Sequence, residues 1–158
     1  MKKFCLVGAF TEKSLSPEIH HWIYRFLNIN AEYKNNNIEI ANFNMGISNM
    51  LSNIKSGLIN GINVTNPYKM EILSSDIKLS KQAQKINAVN CVYENNNHLI
   101  GDNTDWIGFI ESINHNGINL NNYDIRIIGA GGGARAIIYS LQKLGIKKFT
   151  IYNRTKIT

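Results

Sequence analysis

Short apolar runs alternate along the chain with stretches in which apolar residues recur every three or four positions. The runs predict buried strands, and the helical spacing predicts amphipathic helices. Because strands and helices alternate, we expect an α/β fold built on open, mostly parallel sheets. The predicted strands cover residues 3–7, 33–40, 58–64, 88–94, 98–100, 125–128 and 148–152, and the predicted helices cover residues 16–27, 43–55, 77–85, 103–114 and 134–144, with a further helix entered at Pro67.

Several residues mark the boundaries of these elements. Ser16 and Pro17 are typical of a helix start, with the serine as N-cap and the proline at the first helical position. Gly57 is placed to close the helix that precedes it. Asparagine tolerates left-handed backbone geometry, so we expect the asparagine runs at 35–37 and 95–97 at a strand end and at a hairpin tip.

The order of the elements divides the chain into two predicted parts. Residues 1–102 form a first α/β domain, and residues 103–117 form a linking helix with its loop. Residues 118–158 then supply one strand–helix–strand unit of a second, Rossmann-type domain. Such a domain normally contains further strands and helices, so we expect either a fragment or a chain that another chain completes.

Composition and charge narrow the function classes. The 17 Lys+Arg and 11 Asp+Glu residues give a net charge of +6. No block of five or six like charges occurs, so we expect a solvated basic surface, with neither nucleic acid nor membrane as partner. No apolar run approaches the ~20 residues that span a bilayer. Cys5 and Cys91 are too few for a disulfide framework, which favours the reducing cytoplasm.

Two adjacent histidines, His20 and His21, fall on the first predicted helix. Neighbouring positions on a helix point in different directions, so we do not expect the pair to share a face or to bind one metal ion. No metal site is predicted.

A glycine-rich loop follows the sixth predicted strand and opens a helix, with the sequence Gly129-Ala130-Gly131-Gly132-Gly133-Ala134-Arg135. This context favours dinucleotide binding over a merely structural glycine turn. Gly129 would permit the tight turn, and Gly131 would let a pyrophosphate approach the backbone. The next two glycines keep side chains away from the helix amides, and Ala134 lets the helix pack close to the strand.

The strand after this helix ends in Asn153-Arg154-Thr155. An NAD site would place an acidic residue there to bind the ribose 2′-hydroxyl, and none is present. An arginine can bind a 2′-phosphate through its planar fork of donors. The loop therefore predicts a dinucleotide, and Arg154 favours NADP(H), with a simple surface charge as the alternative.

Polar side chains also follow the strands of the first domain, at the sheet edge where open α/β sheets bind ligands. Their hydroxyl, amide, amine and carboxylate groups suit a polyhydroxy acid. Each residue taken singly has a structural interpretation as well, such as an N-cap for Ser16 or a turn for Asn63. The set comprises Ser14, Ser16, Asn63, Thr65, Lys69, Asn90 and Asp105.

Six motifs taken together resemble the shikimate dehydrogenase family over the whole chain. The resemblance implies an NADPH-dependent reduction of 3-dehydroshikimate to shikimate, in the biosynthesis of aromatic amino acids. It places the substrate in the first domain and the nucleotide in the second. The motifs, in order, are Ser14-Leu15-Ser16-Pro17, Asn63-Val64-Thr65-Asn66-Pro67-Tyr68-Lys69, Ala88-Val89-Asn90, Gly101-Asp102-Asn103-Thr104-Asp105, the glycine loop and Asn153-Arg154-Thr155.

The resemblance also implies roles for single residues. Ser14 and Ser16 would bind the substrate carboxylate. Lys69 would give and take the proton, paired with Asp105. Hydride delivery to a ketone builds negative charge on oxygen, which a positioned ammonium can stabilise. The ring hydroxyls and the oxygen of the reacting carbon would be held by Asn63, Thr65, Asn90 and Asp105.

Two alternatives remain open at this stage. The chain stops after the second nucleotide-domain strand, whereas the chains of this family continue, so it could be a non-catalytic, shikimate-binding fragment. A related dehydrogenase acting on quinate is the other alternative, and the Ser14 and Thr65 pattern favours shikimate over it. Whether the chain forms a homodimer is open at this point, because nothing in one chain specifies a symmetric interface.

Overall fold

The computed structural model describes residues 1–155, which form two sheets with helices packed on them. The α/β class and the mostly parallel pairing predicted from the sequence are confirmed. The strands are β1 (Lys2–Gly8), β2 (Ala31–Asn37), β3 (Gly61–Val64), β4 (Lys78–Leu79), β5 (Cys91–Asn95), β6 (His98–Asp102), β7 (Arg126–Ile128) and β8 (Thr150–Tyr152). The α-helices are α1 (Ser16–Phe26), α2 (Phe43–Lys55), α3 (Lys81–Ile86), α4 (Asp105–His115) and α5 (Gly132–Lys143).

The larger sheet has six strands in the order β2-β1-β3-β5-β6-β4. The central strand β1 pairs in parallel with β2 on one side and with β3 on the other. The β5–β6 hairpin continues the sheet with antiparallel pairing. The carboxyl ends of β1 and β3 therefore lie side by side, so the polar segments that follow them share one sheet edge.

The main core lies between this sheet and α2. Ile47, Leu51 and Ile54 recur at helical spacing and are buried against the sheet. Val7 of β1 and Val92 of β5 are at most 1% exposed on the same side. Burying a side chain of this size stabilises the fold by about 1.5–3 kcal/mol, so this face fixes the register of the strands.

Of the residues predicted to begin or end helices, Gly57 has the predicted role and Ser16 does not. Helix α2 has the predicted bounds, and Gly57 follows it with a φ of 73°, as expected of a closing glycine. Ser16 is not an N-cap, because the helix already includes it and no side chain caps this end. Its backbone N–H donates instead to the Ser14 hydroxyl, at 3.2 Å.

Three further predictions about the larger sheet need correction, one of them only in its reason. The asparagine run at 35–37 lies at the carboxyl end of β2, as predicted, but it pairs with β1, and none of its three residues has the left-handed backbone geometry that the prediction assumed. The helix predicted at 77–85 is shorter than expected, because Lys78–Leu79 form the strand β4 and α3 begins only at Lys81. The segment after Pro67 is a turn followed by a 3-10 helix at Glu71–Ser74, and the carbonyl of Lys69 accepts from the Val89 N–H, whereas the Leu73 N–H donates to the Met70 carbonyl.

The smaller sheet pairs β7 and β8 in parallel, and α5 packs beside it. Helix α5 also contacts α4: Tyr139 packs edge-on to Trp106, with ring centroids 5.3 Å apart. The Ser140 hydroxyl donates to the Trp106 carbonyl at 2.9 Å. The boundary predicted at 102–118 stays a prediction, and residues 156–158 of the predicted second domain lie outside the described part.

Candidate active site

Lys69 and Asp105 form an ion pair at the carboxyl edge of the larger sheet. The Lys69 Nζ lies 2.7 Å from Asp105 Oδ2, although the two residues are 36 positions apart in sequence. Their side chains are 21% and 32% exposed. The pair is therefore partly shielded from water, and this shielding strengthens its electrostatic interaction relative to a fully solvated pair. The exposed part of each side chain is accessible to a ligand.

Asn90 holds the other oxygen of the same carboxylate. Its Nδ2 donates to Asp105 Oδ1 at 2.8 Å, and its Oδ1 accepts from the Thr104 N–H at 2.9 Å. Asn90 is only 8% exposed. Asn103 completes the arrangement, since its Oδ1 accepts from the Asp105 N–H at 3.1 Å. With one oxygen on an amide and the other on an ammonium, the Asp105 carboxylate has a fixed orientation.

A buried tyrosine presents Lys69 to this site. Tyr68 is 1% exposed, and its hydroxyl donates to the carbonyl of Ile38 at 2.5 Å. The backbone carbonyl of Lys69 accepts from the Val89 N–H at 2.7 Å. The chain is thus held at Tyr68 and at the Lys69 carbonyl, and the Lys69 side chain extends from there to Asp105.

The serine pair lies where the loop after β1 enters α1, with Ser14 in the loop and Ser16 as the first residue of the helix. The Ser14 hydroxyl donates to the Ser16 hydroxyl at 3.0 Å. Thr11, which is fully buried, ties this loop to β2, because its N–H donates to Asn37 Oδ1 at 2.8 Å and its hydroxyl bonds to the same oxygen. Ser14 therefore lies in a loop that is tied to β2, and Ser16 lies at the start of α1. Their hydroxyls bond to one another and not to Lys69 or Asp105.

Thr65 lies next to that loop at the carboxyl end of β3. A Cβ placed on Gly8 would lie 2.5 Å from the Thr65 methyl carbon and 2.9 Å from that of Thr11. The absence of a side chain at Gly8 allows the two threonines to approach one another. Thr65 is thus adjacent to the serine loop, which is the arrangement that a shared ligand would need.

Asn63, on β3, forms hydrogen bonds with Asn90 on one side and with Tyr33 of β2 on the other. Its Nδ2 donates to the backbone carbonyl of Asn90 at 3.3 Å, and its Oδ1 accepts from the Tyr33 hydroxyl at 2.8 Å. The sequence did not mark Tyr33, Thr11 or Asn37 as part of a site. The only available signal was one aromatic residue in an otherwise polar strand, which by itself predicts packing.

The glycine loop, which follows β7 of the smaller sheet, contacts Lys69. A Cβ on Gly132 would lie 2.7 Å from Lys69 Cβ and 3.3 Å from Ala88 Cβ, so the first turn of α5 packs directly on the Lys69 side chain. At Gly131 and Gly133 no atom lies within 4 Å of a built Cβ. The first two residues of α5, both glycines, thus have different surroundings: one is packed against Lys69 and the other faces open space.

The backbone of the glycine loop is defined by one glycine with positive φ and one hydrogen bond to β8. Gly129 has a φ of 101°, which glycine adopts without strain, and its N–H donates to the Tyr152 carbonyl at 2.7 Å. That bond places Asn153 and Arg154 beside the loop, and both are exposed. The first amides of α5 have no partner within the helix and can donate to phosphate. Arg135 adds a buried Nε without a hydrogen-bond partner among the described residues.

The Cys91 thiol lies near the site but is not a reactive thiolate at neutral pH. Burial raises the pKa of the Cys91 thiol to about 11, with Asp102 and Asp105 adding to the rise, so it stays protonated at neutral pH. Within residues 1–155 no group of three or more His, Cys, Asp or Glu side chains is arranged to hold a metal ion. Over the same residues, no helix has the length and apolar character to cross a membrane.

Comparison with known proteins identifies the family. The family model for the shikimate dehydrogenase substrate binding domain matches residues 6–92. The chain is 37% identical over 155 residues to shikimate dehydrogenase (NADP(+)) of Caldicellulosiruptor saccharolyticus, covering 98% of this chain and 55% of the relative. The corresponding protein of Pelagibacter ubique is 35% identical, with 99% and 57% covered.

Solved structures give the same result. Shikimate dehydrogenase 1 from Peptoclostridium difficile superimposes with a TM-score of 0.88 at 35% identity, over 99% of this chain and 58% of that one. The Thermus thermophilus enzyme in complex with NADP(H) and shikimate gives 0.85 at 30% identity, over 98% and 57%. The chain spans a little more than half of the length of these relatives. By its matched domain and its fold, the chain belongs to the shikimate dehydrogenase family.

Proposed function

We propose that this chain provides the substrate site and the start of the nucleotide site of an enzyme that reduces 3-dehydroshikimate to shikimate with NADPH. The observation that carries the proposal is the Lys69–Asp105–Asn90 arrangement, against which the glycine loop packs through Gly132. The relatives carry the name shikimate dehydrogenase (NADP(+)). One relative was solved in complex with both ligands.

In this proposal, Lys69 moves the proton. Reduction adds a hydride to the carbonyl carbon and a proton to its oxygen. NADPH supplies the hydride when it is bound. The Lys69 ammonium stabilises the negative charge that develops on the oxygen, donates its proton there and becomes a neutral amine. The reverse reaction returns the hydroxyl proton to that amine.

Asp105 and Asn90 orient the lysine. The carboxylate accepts from Lys69 at 2.7 Å, and Asn90 prevents it from turning by occupying its other oxygen at 2.8 Å. Holding the ammonium at one position reduces the reorganisation needed at the moment of proton transfer. Ser14 and Ser16 would bind the substrate carboxylate, and Asn63, Thr65 and Asn90 would hold the hydroxyls.

The second sheet would hold the nucleotide. The amides of the first turn of α5, at Gly132, Gly133 and Ala134, would donate to the pyrophosphate. Ala130 and Gly131, in the glycine loop before α5, would contact the same pyrophosphate. Arg154, flanked by Asn153 and Thr155, would bind the 2′-phosphate and select NADP(H).

The test combines turnover with binding. NADP⁺ reduction with excess shikimate is followed by absorbance for the wild-type chain, for Lys69→Ala and for a control, Lys85→Ala, which alters an exposed lysine of α3. We expect Lys69→Ala to lower turnover by about 10²–10⁴-fold, as for loss of a general acid. We expect the control to match the wild type. Normal turnover in Lys69→Ala would refute the role of the lysine.

Shikimate binding is measured separately through the melting temperature. A ligand present at a hundredfold excess over its Kd stabilises the folded state by about 2.7 kcal/mol. A rise in melting temperature without turnover would support the alternative of a shikimate-binding fragment. A larger response to quinate than to shikimate would support the quinate alternative, and no response to either ligand would refute the substrate site.

A further inference from the structure

Tyr33 lies on the edge strand β2 and contacts Asn63, a residue of the candidate substrate site, across β1. It lies on β2 opposite Phe4 of β1, and Asn63 lies on β3 opposite Leu6. Side chains two positions apart on a strand share a face, so Tyr33 and Asn63 project from the same side of the sheet. Tyr33 is 1% exposed, and its hydroxyl crosses β1 to reach Asn63 Oδ1 at 2.8 Å.

The surrounding atoms fix which end of the Asn63 amide faces which neighbour. The other end of the amide faces the backbone carbonyl of Asn90 at 3.3 Å, and a carbonyl can only accept. The Asn63 nitrogen must therefore lie there, and its oxygen must face Tyr33. It follows that the Tyr33 hydroxyl donates. Burial raises the pKa of this hydroxyl, so it keeps the proton that it donates.

Two histidines of α1 hold Tyr33 in place. The His20 ring stacks on the Tyr33 ring, with centroids 4.0 Å apart and planes within 5° of parallel. The Nε2 of His21 accepts from the Tyr33 backbone N–H at 3.2 Å. The adjacent histidines therefore contact one residue from two directions, although they cannot share a helix face. One fixes the ring and the other fixes the strand that carries it.

We propose that Tyr33 is a positioning residue that makes Asn63 a hydrogen-bond donor to the substrate. With its oxygen held by Tyr33 and one amide hydrogen held by Asn90, Asn63 has one N–H left. This N–H recognises an oxygen of a hydroxylated carboxylic acid such as shikimate. The inference rests on the proposed function, because it assumes that Asn63 faces the substrate.

A double-mutant cycle tests the inference. Shikimate Kd is measured by calorimetry for the wild type, Tyr33→Phe, Asn63→Ala and the double variant. The control is Tyr24→Phe, which removes a hydroxyl from α1 beside the same sheet face. We expect Tyr33→Phe to weaken binding about 3–10-fold, as for loss of one hydrogen bond that orients a polar group. We expect no further weakening in the Asn63→Ala background and none in Tyr24→Phe.

Other outcomes would overturn the inference. One is wild-type affinity in Tyr33→Phe, and another is an equal loss with and without Asn63, which a merely structural role would produce. In an active assembly, Tyr33→Phe should raise KM for shikimate and leave kcat unchanged.

A ligand-free measurement separates this inference from the proposed function. In the unliganded chain, the Tyr33 hydroxyl proton should be visible by NMR as a slowly exchanging resonance with a cross-peak to the Asn63 side chain. Absence of that resonance refutes the inference. If it is present while the wild type fails to bind shikimate, Tyr33 positions Asn63 for some other ligand and the proposed substrate is wrong.

Discussion

Replacing Gly132 with alanine should damage the contact between the glycine loop and the candidate catalytic lysine. The added Cβ would lie 2.7 Å from Lys69 Cβ, so the two carbons must separate by about 0.7 Å to reach ordinary contact at 3.4 Å. The crowded atom is not the end of a flexible side chain. It is attached to a backbone held by Val89 and by buried Tyr68, so the start of α5 must move instead.

The size of the effect follows from comparison with the neighbouring glycine. Overpacking costs about 1–3 kcal/mol. Alanine also favours a helix over glycine by about 1 kcal/mol, but this gain applies equally to Gly133→Ala, where nothing lies within 4 Å. The difference between the two variants therefore isolates the contact with Lys69, and we expect Gly132→Ala to be the less stable by about 1–3 kcal/mol.

Thermal unfolding followed by circular dichroism measures this difference. For a chain of this size, 1 kcal/mol corresponds to about 2–4 °C, so the melting temperatures should differ by about 2–12 °C. The Lys69 amide resonance should also shift in Gly132→Ala and stay in place in Gly133→Ala. Equal melting temperatures, with an unmoved Lys69 resonance, would show that the loop and the lysine are not in contact.

Three further predictions concern side chains elsewhere in residues 1–102. Burial raises the pKa of the Cys5 and Cys91 thiols from 9.0 to about 11, so in the folded chain each should react about a hundredfold more slowly with a thiol reagent at pH 8 than in denaturant; equal rates would contradict this. Burial lowers the pKa of His20 below 6.5, so the free energy of unfolding should fall as pH drops below 6.5, and His20→Phe should weaken that dependence in urea titrations. Ser80→Ala removes the side chain that accepts from the Ala83 N–H at 3.0 Å, and should cost about 1 kcal/mol by the same titration, whereas an unchanged midpoint would show that this cap contributes nothing.

Local patterns in the sequence predicted the elements whose cause is itself local. Helix α2 has the predicted bounds, because its apolar spacing and the following Gly57 act within a few residues. The β5–β6 hairpin and the glycine loop before α5 were found for the same reason. In each case the deciding contacts lie close together in the chain.

Patterns failed where distant residues decide the structure. The asparagine run at 35–37 is extended and not left-handed, and two of its side chains have distant partners: Asn36 Nδ2 lies 2.6 Å from Met50 Sδ, and Asn37 Oδ1 accepts from the Thr11 N–H. The turn after Pro67 bonds to Val89, some twenty positions away.

The candidate site shows the same division. Resemblance to a family brought Lys69 and Asp105 into one hypothesis, and the fold places them 2.7 Å apart. Neither composition nor spacing indicated that Tyr33 would meet Asn63, because the two are 30 positions apart and meet only when β1 lies between their strands.

The β5–β6 hairpin has a consequence for the order in which the site assembles during folding. Asn90 and Asp105 flank the hairpin, and the Asn90 N–H already donates to the Asp102 carbonyl at its base. Hairpins form in about 1–10 μs, well before distant strands pair. We therefore expect the amide and the carboxylate to meet early, while Lys69 reaches them only after β3 has joined the sheet. The Lys69–Asp105 ion pair would then form after the hairpin, and its appearance would report that β3 has paired with β5.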